Sequence, residues 1–477
     1  MKEIPIRTES HHGNGLLIAT LATLAFLLFA VTPAWLMSGG IFTLLGGGIF
    51  LSVLLYLVLA GQRSRRLDSA KRYLRFALIV WWSLLISEEL FFRQWSDDEA
   101  FAGKFSPAAY CEAIFWGGMF LALFVIVLRK VECLRGSFSG GNKWLSLFAL
   151  VALFSVSFAP RPLYSLAWAF KLLLVVIVLL FCSNLIADLN DIESFLWSTF
   201  WGFVILTLLP VARAFANPST AFEEGRLSGS PNGLVVSAGA LLLLAFTLNS
   251  LRKRTWLAGF VVLGATVMLI SGGKAGIIAG TVSVTLFFVL QKRPVLALGW
   301  LLGIFALGCV VFAVTPLPTY FSTYYEQGQV YSITGRTDLW VKALAAIKQH
   351  PLLGNGYAAG RFVSLQVEGA FTEAGNLHNG FLEVLYDNGV IGLVPLLAMH
   401  VVILKNLGAI LKATRQRDNI AMGIGSLALY VCILINGFFN AVFGGRAYAP
   451  FMLLMALVVV SEALRKRMRA QPRSLAS

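Results

Sequence analysis

The fold of this chain is decided by residues 295–315, VLALGWLLGIFALGCVVFAVT, together with the polar segment Pro316–Asn379 that follows them. An apolar run of about 20 residues is long enough to cross the hydrocarbon layer of a bilayer as a helix. A polar connection of this length between two apolar runs is usually either functional or disordered. We expect the chemistry of the protein in this segment, because it is the longest interruption of an otherwise membrane-like chain.

The polar segment carries the pattern of an ordered structure. Its apolar side chains recur at helical spacing, at Trp340, Val341, Leu344 and Ile347. Because charged residues interleave with them, we expect at least one amphipathic helix here, along the membrane surface. The helix should end near His350-Pro351, since a proline disfavours helical backbone in the residue before it, and Gly354 and Gly356 then follow as turn residues.

The composition of the whole chain places it among polytopic membrane proteins. The 477 residues are 58% hydrophobic and only 13% charged, with a mean hydropathy of +0.79, far from the values of a soluble domain. The formal charge of +15 does not indicate a nucleic-acid partner, because the basic residues cluster in short loops where they determine topology. The five cysteines include no CxxC pair, so neither a disulfide framework nor a zinc site is indicated.

Spans of membrane length predict an all-α polytopic integral membrane protein with roughly fourteen transmembrane helices. The predicted spans are 15–37, 40–60, 76–92, 113–128, 144–160, 163–186, 196–215, 233–250, 256–270, 275–290, 295–315, 379–404, 420–443 and 450–463. Basic connections such as Arg63–Arg75 and Lys405–Arg417 put the N-terminus inside. The long loop, residues 216–232 and the turn at 271–274 then all lie on the outer face.

Two arginines on the outer face are candidates for binding an anion. Arg226 stands in EGRLSGSPN (224–232), a glycine-rich segment that leads into a helix. A guanidinium suits a diphosphate, and a helix N-terminus offers N–H groups to the same anion. Arg336 is the second arginine, and together the two could neutralise a diphosphate both as bound substrate and as leaving group. The alternatives are an ion pair of Arg226 with Glu223 or Glu224 or its contact with a lipid headgroup, and, for Arg336, a surface contact with Asp338.

His378 stands where the long loop enters the next span. A neutral imidazole can take the proton of an attacking hydroxyl, which is what glycosyl transfer to a sugar requires. Glu373 and Glu383 are candidates to orient it. The alternative is an interfacial histidine that caps the helix. Lys274 begins a helix on the outer side, where a cation is unfavourable for the helix dipole, so we expect it to face an anion.

These motifs, taken in order, resemble a known family. The motifs are Gly335-Arg336 with Trp340, HPLLGNG (350–356), HNGFLE (378–383) and GVIGL (389–393). They resemble the O-antigen ligase and polymerase superfamily of bacterial membrane glycosyltransferases, and the resemblance covers residues 226–395. It implies three parts. These are the N-terminal transmembrane helices (1–215), a ligase- or polymerase-like core (216–405) with a periplasmic loop (316–378), and C-terminal helices with a basic cytoplasmic tail (406–477).

The resemblance also implies an activity. Such a protein is an inverting, metal-independent transferase of the bacterial inner membrane that needs no cofactor and acts at the periplasmic face. It takes a glycan from undecaprenyl diphosphate and passes it to lipid A–core, as a ligase, or to a second lipid-linked glycan, as a polymerase. By position, the catalytic residues would be His378, Arg336 and Arg226, with both arginines and Lys274 binding the diphosphate. The family often has an arginine at the position of Lys274.

The number of predicted spans exceeds what ligases commonly show, which favours a polymerase. Two other classes of protein remain open on sequence grounds. A flippase for lipid-linked sugars would also need cations facing a cavity, but it would not need His378. A noncatalytic membrane scaffold would need neither arginine.

Overall fold

The computed structural model describes most of the C-terminal two thirds of the chain and shorter stretches before it. The described residues are 69–90, 116–120, 123, 140–216, 222–223, 226–227, 231–319, 322, 336–360, 377–413, 416–444 and 448–470. The predicted spans 15–37 and 40–60, most of 113–128, and Glu373 lie outside the described residues.

The described part of the chain is helical apart from one small ribbon. Its α-helices are α1 (Ser69–Leu90), α2 (Asn142–Ser155), α3 (Pro162–Leu185), α4 (Leu189–Ala216), α5 (Pro231–Arg252), α6 (Leu257–Ile270), α7 (Lys274–Leu290), α8 (Pro294–Val314), α9 (Arg336–Gln349), α10 (Gly380–Ala413), α11 (Arg417–Phe439) and α12 (Ala449–Ala470). Strands β1 (Phe222–Glu223) and β2 (Arg226–Leu227) pair antiparallel between α4 and α5. The 3-10 turn Val156–Phe158 extends α2.

Eleven of the fourteen predicted spans overlap described helices. Among the described residues, six helices are long and apolar enough to cross a membrane, and three further apolar helices are shorter. The bundle is therefore that of a multi-pass membrane protein. The total of fourteen spans stays a prediction.

The opening apolar stretch forms α8, at the edge of the described bundle. Its side chains are largely exposed, with Val295, Phe305 and Val314 more than 70% accessible. Exposed apolar surface on this scale is unfavourable in water but is solvated by lipid. In contrast, Leu454 and Val458 of α12 are fully buried, so the protein core lies around α12.

Small residues let α5 and α7 approach closely. A Cβ added to Gly276 would stand 2.3 Å from the side chain of Val235, and Gly280 lies against Gly239. Helices associate in membranes largely through such small residues. Because the residue numbers of the two contacts increase together along both helices, α5 and α7 run parallel, and their first residues lie at the same end of the bundle.

The contacts between α5 and α11 advance in opposite directions. Gly239 lies against Cys432, whereas Gly425 lies against Thr247. These helices are therefore antiparallel, and the start of α5 is level with the end of α11. The starts of α5 and α7 and the end of α11 thus share one end of the bundle, as the topology predicted from the basic loops requires.

Helix α10 corrects the predicted span 379–404, which is not one continuous helix. Gly389 has φ 59° and ψ −163°, which breaks the helix. The rings of Phe381 and His400 lie only 5.4 Å apart, although nineteen helical residues would separate them by about 28 Å. The chain therefore folds back at Gly389. We call residues 380–388 the short arm and residues 390–413 the long arm, which alone is long enough to cross a bilayer.

Helix α9 is the amphipathic helix predicted in the long loop, but its buried face differs from the prediction. Its buried residues are Leu339, Ala343 and Ile347, which pack with Leu377 and Tyr386. Their spacing of four places them on one face of the helix. Two members of the predicted stripe, at 341 and 344, are exposed instead. The packing of α9 against the short arm selects the buried face, a choice that periodicity alone does not make.

Candidate active site

The site is built on the point where α10 folds back. The loop 350–360, which follows α9, binds the chain on both sides of Gly389. The N–H of Gly356 donates to the Asp387 carbonyl at 2.8 Å, and the N–H of Val390 donates to the Pro351 carbonyl at 2.9 Å. Gly354 has φ 70°, and a Cβ there would stand 2.5 Å from the Asp387 carbonyl. Only glycine allows both this backbone conformation and this approach.

The Asp387 carboxylate ties the same loop to the short arm. It accepts hydrogen bonds from the backbone N–H of Ala358 at 3.1 Å and of Gly360 at 2.6 Å. Tyr357 directly precedes Ala358 and is fully buried. Burial, together with the charge of Asp387, raises the pKa of the Tyr357 phenol, so this hydroxyl stays protonated.

A second set of hydrogen bonds connects the loop to α2. The hydroxyl of Ser155 donates to Asn388 Oδ1 at 2.9 Å and accepts from the N–H of Tyr357 at 3.0 Å. All three residues are buried. Because a buried polar group without a partner lowers the stability of the folded state, these hydrogen bonds specify how α2, the loop and the short arm meet.

His378 is held by the residues on both sides of it. The carbonyl of Leu377 accepts a hydrogen bond from Trp340 Nε1 at 2.8 Å. On the other side, Asn379 Oδ1 accepts from the N–H of Leu382 at 3.0 Å, which makes Asn379 the N-cap of the short arm. His378 itself has φ 50°, a left-handed conformation that costs a non-glycine residue about 1–3 kcal/mol.

Arg336 begins α9 and reaches the end of α11. Its Nη1 donates to the carbonyl of Phe439 at 2.7 Å, where a cation is favoured by the helix dipole. Burial and the nearby charge of Arg336 lower the pKa of His378 to about 4. The imidazole is therefore neutral at physiological pH and can accept a proton. The structure thus brings Arg336 and His378 together.

The other predicted residues have the following places. Arg226 lies on β2 as the pairing partner of Glu223, and its side chain is outside what is described. Lys274 is exposed at the first position of α7, at the same end of the bundle as Arg336. Glu383 is buried in the first turn of the short arm, where the main-chain N–H of Leu377 reaches its carboxyl.

Sequence reasoning missed the buried polar residues around the fold-back point. These are Ser155, Tyr357, Asp387 and Asn388. Asp387 and Asn388 did leave a signal, because a charge and an amide inside an apolar span mark a functional site by default. Ser155 and Tyr357 left none, since both residue types are common in helices and loops alike.

The comparisons with known proteins agree with this site. Residues 259–397 match the family model described as O-antigen ligase. The match runs from α6 into the long arm and contains Lys274, Arg336 and His378, whereas Arg226 precedes it. No curated protein matches the chain. The resemblance predicted from the motifs is confirmed over residues 259–397, which are similar to the O-antigen ligase family.

Proposed function

We propose that this protein moves a glycan from an undecaprenyl diphosphate carrier to a sugar hydroxyl at the periplasmic face of the bacterial inner membrane. The observation that carries this proposal is the pairing of His378 with Arg336 inside the stretch that matches O-antigen ligase. A neutral imidazole beside a guanidinium combines a base for the acceptor with a cation for the departing diphosphate.

The step is a single displacement with inversion. The acceptor oxygen forms a bond to the anomeric carbon while the bond from that carbon to the diphosphate oxygen breaks. His378 takes the hydroxyl proton, and Arg336 stabilises the charge that develops on the diphosphate. In this mechanism Arg226 and Lys274 complete the diphosphate site, and the balance of charge requires no metal.

The same pairing makes the base dependent on the donor. Without donor, the charge of Arg336 helps to hold the pKa of His378 at about 4, where an imidazole is a weak base. A diphosphate bound at Arg336 offsets that charge and raises the pKa of His378. The acceptor is therefore activated only when the donor is in place, which limits loss of glycan to water.

Within this function we favour a polymerase, whose acceptor is a second lipid-linked glycan, over a ligase, whose acceptor is lipid A–core. The span count predicted from the sequence supports the choice. We assign the catalytic core to residues 216–405, with the periplasmic loop 316–378, and the membrane anchoring to residues 1–215 and 406–477.

The test is a reconstituted transfer assay with purified full-length protein. The donor is undecaprenyl-diphosphate-linked glycan, supplied with and without lipid A–core. Lengthening of the lipid-linked glycan by the protein alone indicates a polymerase, and transfer only in the presence of lipid A–core indicates a ligase. Movement of the donor across a bilayer without a new glycosidic bond would overturn the proposal in favour of a flippase.

The matched variants are His378→Ala and His378→Asn. Asparagine tolerates the left-handed backbone but cannot act as the base, so it separates the conformation of His378 from its chemistry. We expect both variants to lose activity by about 100-fold or more. Full activity of His378→Asn would refute the role of His378 as base.

A further inference from the structure

Two buried carboxyl groups lie one turn apart on the short arm. Glu383 is 3% exposed and Asp387 is 0% exposed. A Cβ added to Gly360 would stand 3.1 Å from Glu383 Cγ and 3.3 Å from Asp387 Oδ1. Both carboxyl groups therefore lie under the same point of the loop 350–360.

The partners of the two groups differ. Each oxygen of Asp387 accepts a backbone N–H, from Ala358 and from Gly360. In Glu383, Oε2 has no hydrogen-bond partner among the described residues, and the carboxyl is reached by the N–H of Leu377. Two N–H donors stabilise a carboxylate, whereas a buried oxygen with no donor does not carry charge favourably.

Two negative charges so close together in a buried site repel strongly, so the pair holds one proton. The hydrogen bonds decide where it resides. Asp387 is the carboxylate, and Glu383 is the neutral acid, with one oxygen accepting from Leu377.

Leu377 directly precedes His378, and both of its main-chain polar groups are used. Its N–H donates to Glu383, and its carbonyl accepts from Trp340. These two contacts hold the peptide planes on both sides of Leu377, and the second of these planes leads into His378, which has a left-handed conformation. Glu383 therefore acts on His378 through the main chain.

We propose that Glu383, as a neutral acid beside the Asp387 carboxylate, is a positioning residue that holds the main chain of Leu377 and thereby the imidazole of His378. This inference rests on the proposed function for its kinetic consequences. It differs from a role in which a charged Glu383 orients the imidazole directly, because that role requires a carboxylate and this one requires only an oxygen that accepts a hydrogen bond.

The experiment compares Glu383→Gln, Glu383→Ala and Asp387→Asn in the full-length protein, using kcat and KM for undecaprenyl-diphosphate-linked glycan. Glutamine keeps the accepting oxygen, so we expect a rate within about threefold of the native protein. Alanine should lower kcat by about tenfold or more with little change in KM for the donor. Asp387→Asn should also lower kcat, because its NH2 group would face a backbone N–H.

A second readout does not depend on catalysis. Hydrogen exchange of the peptide that contains residues 377–379 should be slow in the native protein and in Glu383→Gln, and faster in Glu383→Ala. Loss of activity in Glu383→Gln equal to that in His378→Asn would overturn the inference, as would native exchange and native kcat in Glu383→Ala. Absence of glycan transfer by the native protein would instead refute the proposed function, and the exchange data would still decide the inference.

Discussion

Replacing Gly389 with alanine tests whether the fold-back of α10 is required to assemble the site. Gly389 has φ 59° and ψ −163°, a backbone region that is essentially confined to glycine. A Cβ there would stand 2.2 Å from the carbonyl oxygen of Leu352. Alanine must therefore change the backbone at the break and displace the loop 350–360.

The magnitude follows from two contributions. The backbone conformation costs a non-glycine residue about 1–3 kcal/mol. Displacing the loop breaks the hydrogen bonds from Val390 to Pro351 and from Ile391 to Leu352, each with a net value of about 0.5–1.5 kcal/mol. The sum is about 2–6 kcal/mol, and its lower limit already reduces the population of the docked loop about thirtyfold.

The assay combines glycan transfer with hydrogen exchange of the loop 350–360. We expect Gly389→Ala to lose transfer activity and protection of this loop together, while the rest of the bundle keeps its protection. The matched control is Gly408→Ala on the long arm, where a Cβ meets nothing within 4 Å and alanine favours the helix by about 0.5–1 kcal/mol. Native activity and native loop protection in Gly389→Ala would refute the reasoning.

Three further predictions concern single contacts. Arg336→Gln removes a cation that helps to lower the pKa of His378. Because a protonated imidazole cannot act as base, the acid limb of the kcat/KM profile should move from near pH 4 to higher pH. An unchanged acid limb would contradict the pairing of Arg336 with His378. Asn379→Ala removes the N-cap of the short arm and should cost about 1 kcal/mol, seen as a lower Tm that Asn379→Ser restores. Glu193→Ala breaks the partly exposed ion pair with Arg252. We expect the free energy of unfolding to fall by less than about 1 kcal/mol, and by less still at high salt. A larger decrease that does not depend on salt would contradict this prediction.

The helices could be predicted from the sequence because their cause is local. A run such as Pro162–Leu185 must satisfy every backbone N–H and C=O within itself once it lies in lipid, so apolar length alone predicts a helix and nearly its bounds. The pairing of Arg336 with His378 was also within reach, because both residues stand in motifs that resemble one family. The contact of Arg336 with the carbonyl of Phe439 at the end of α11 was not, since these two residues are far apart along the chain.

The fold-back at Gly389 shows the limit of this reasoning. An apolar run of the length of 379–404 has the composition of a continuous span, and a single glycine within it is compatible with a helix. Only the loop 350–360, which is more than twenty residues away along the chain, supplies the carbonyls and N–H groups that stabilise the break.

By itself the sequence determined the apolar helices, the ordered helix in the long loop and the family that the motifs resemble, because lipid solvation, helical periodicity and motif spacing are properties of neighbouring residues. The tertiary structure decided which face of α9 is buried, where α10 reverses and which polar side chains meet beneath the loop. These depend on hydrogen bonds between distant segments. Asp387 illustrates the difference, since its charge is visible in the sequence but its partners, Ala358 and Gly360, are chosen by the fold.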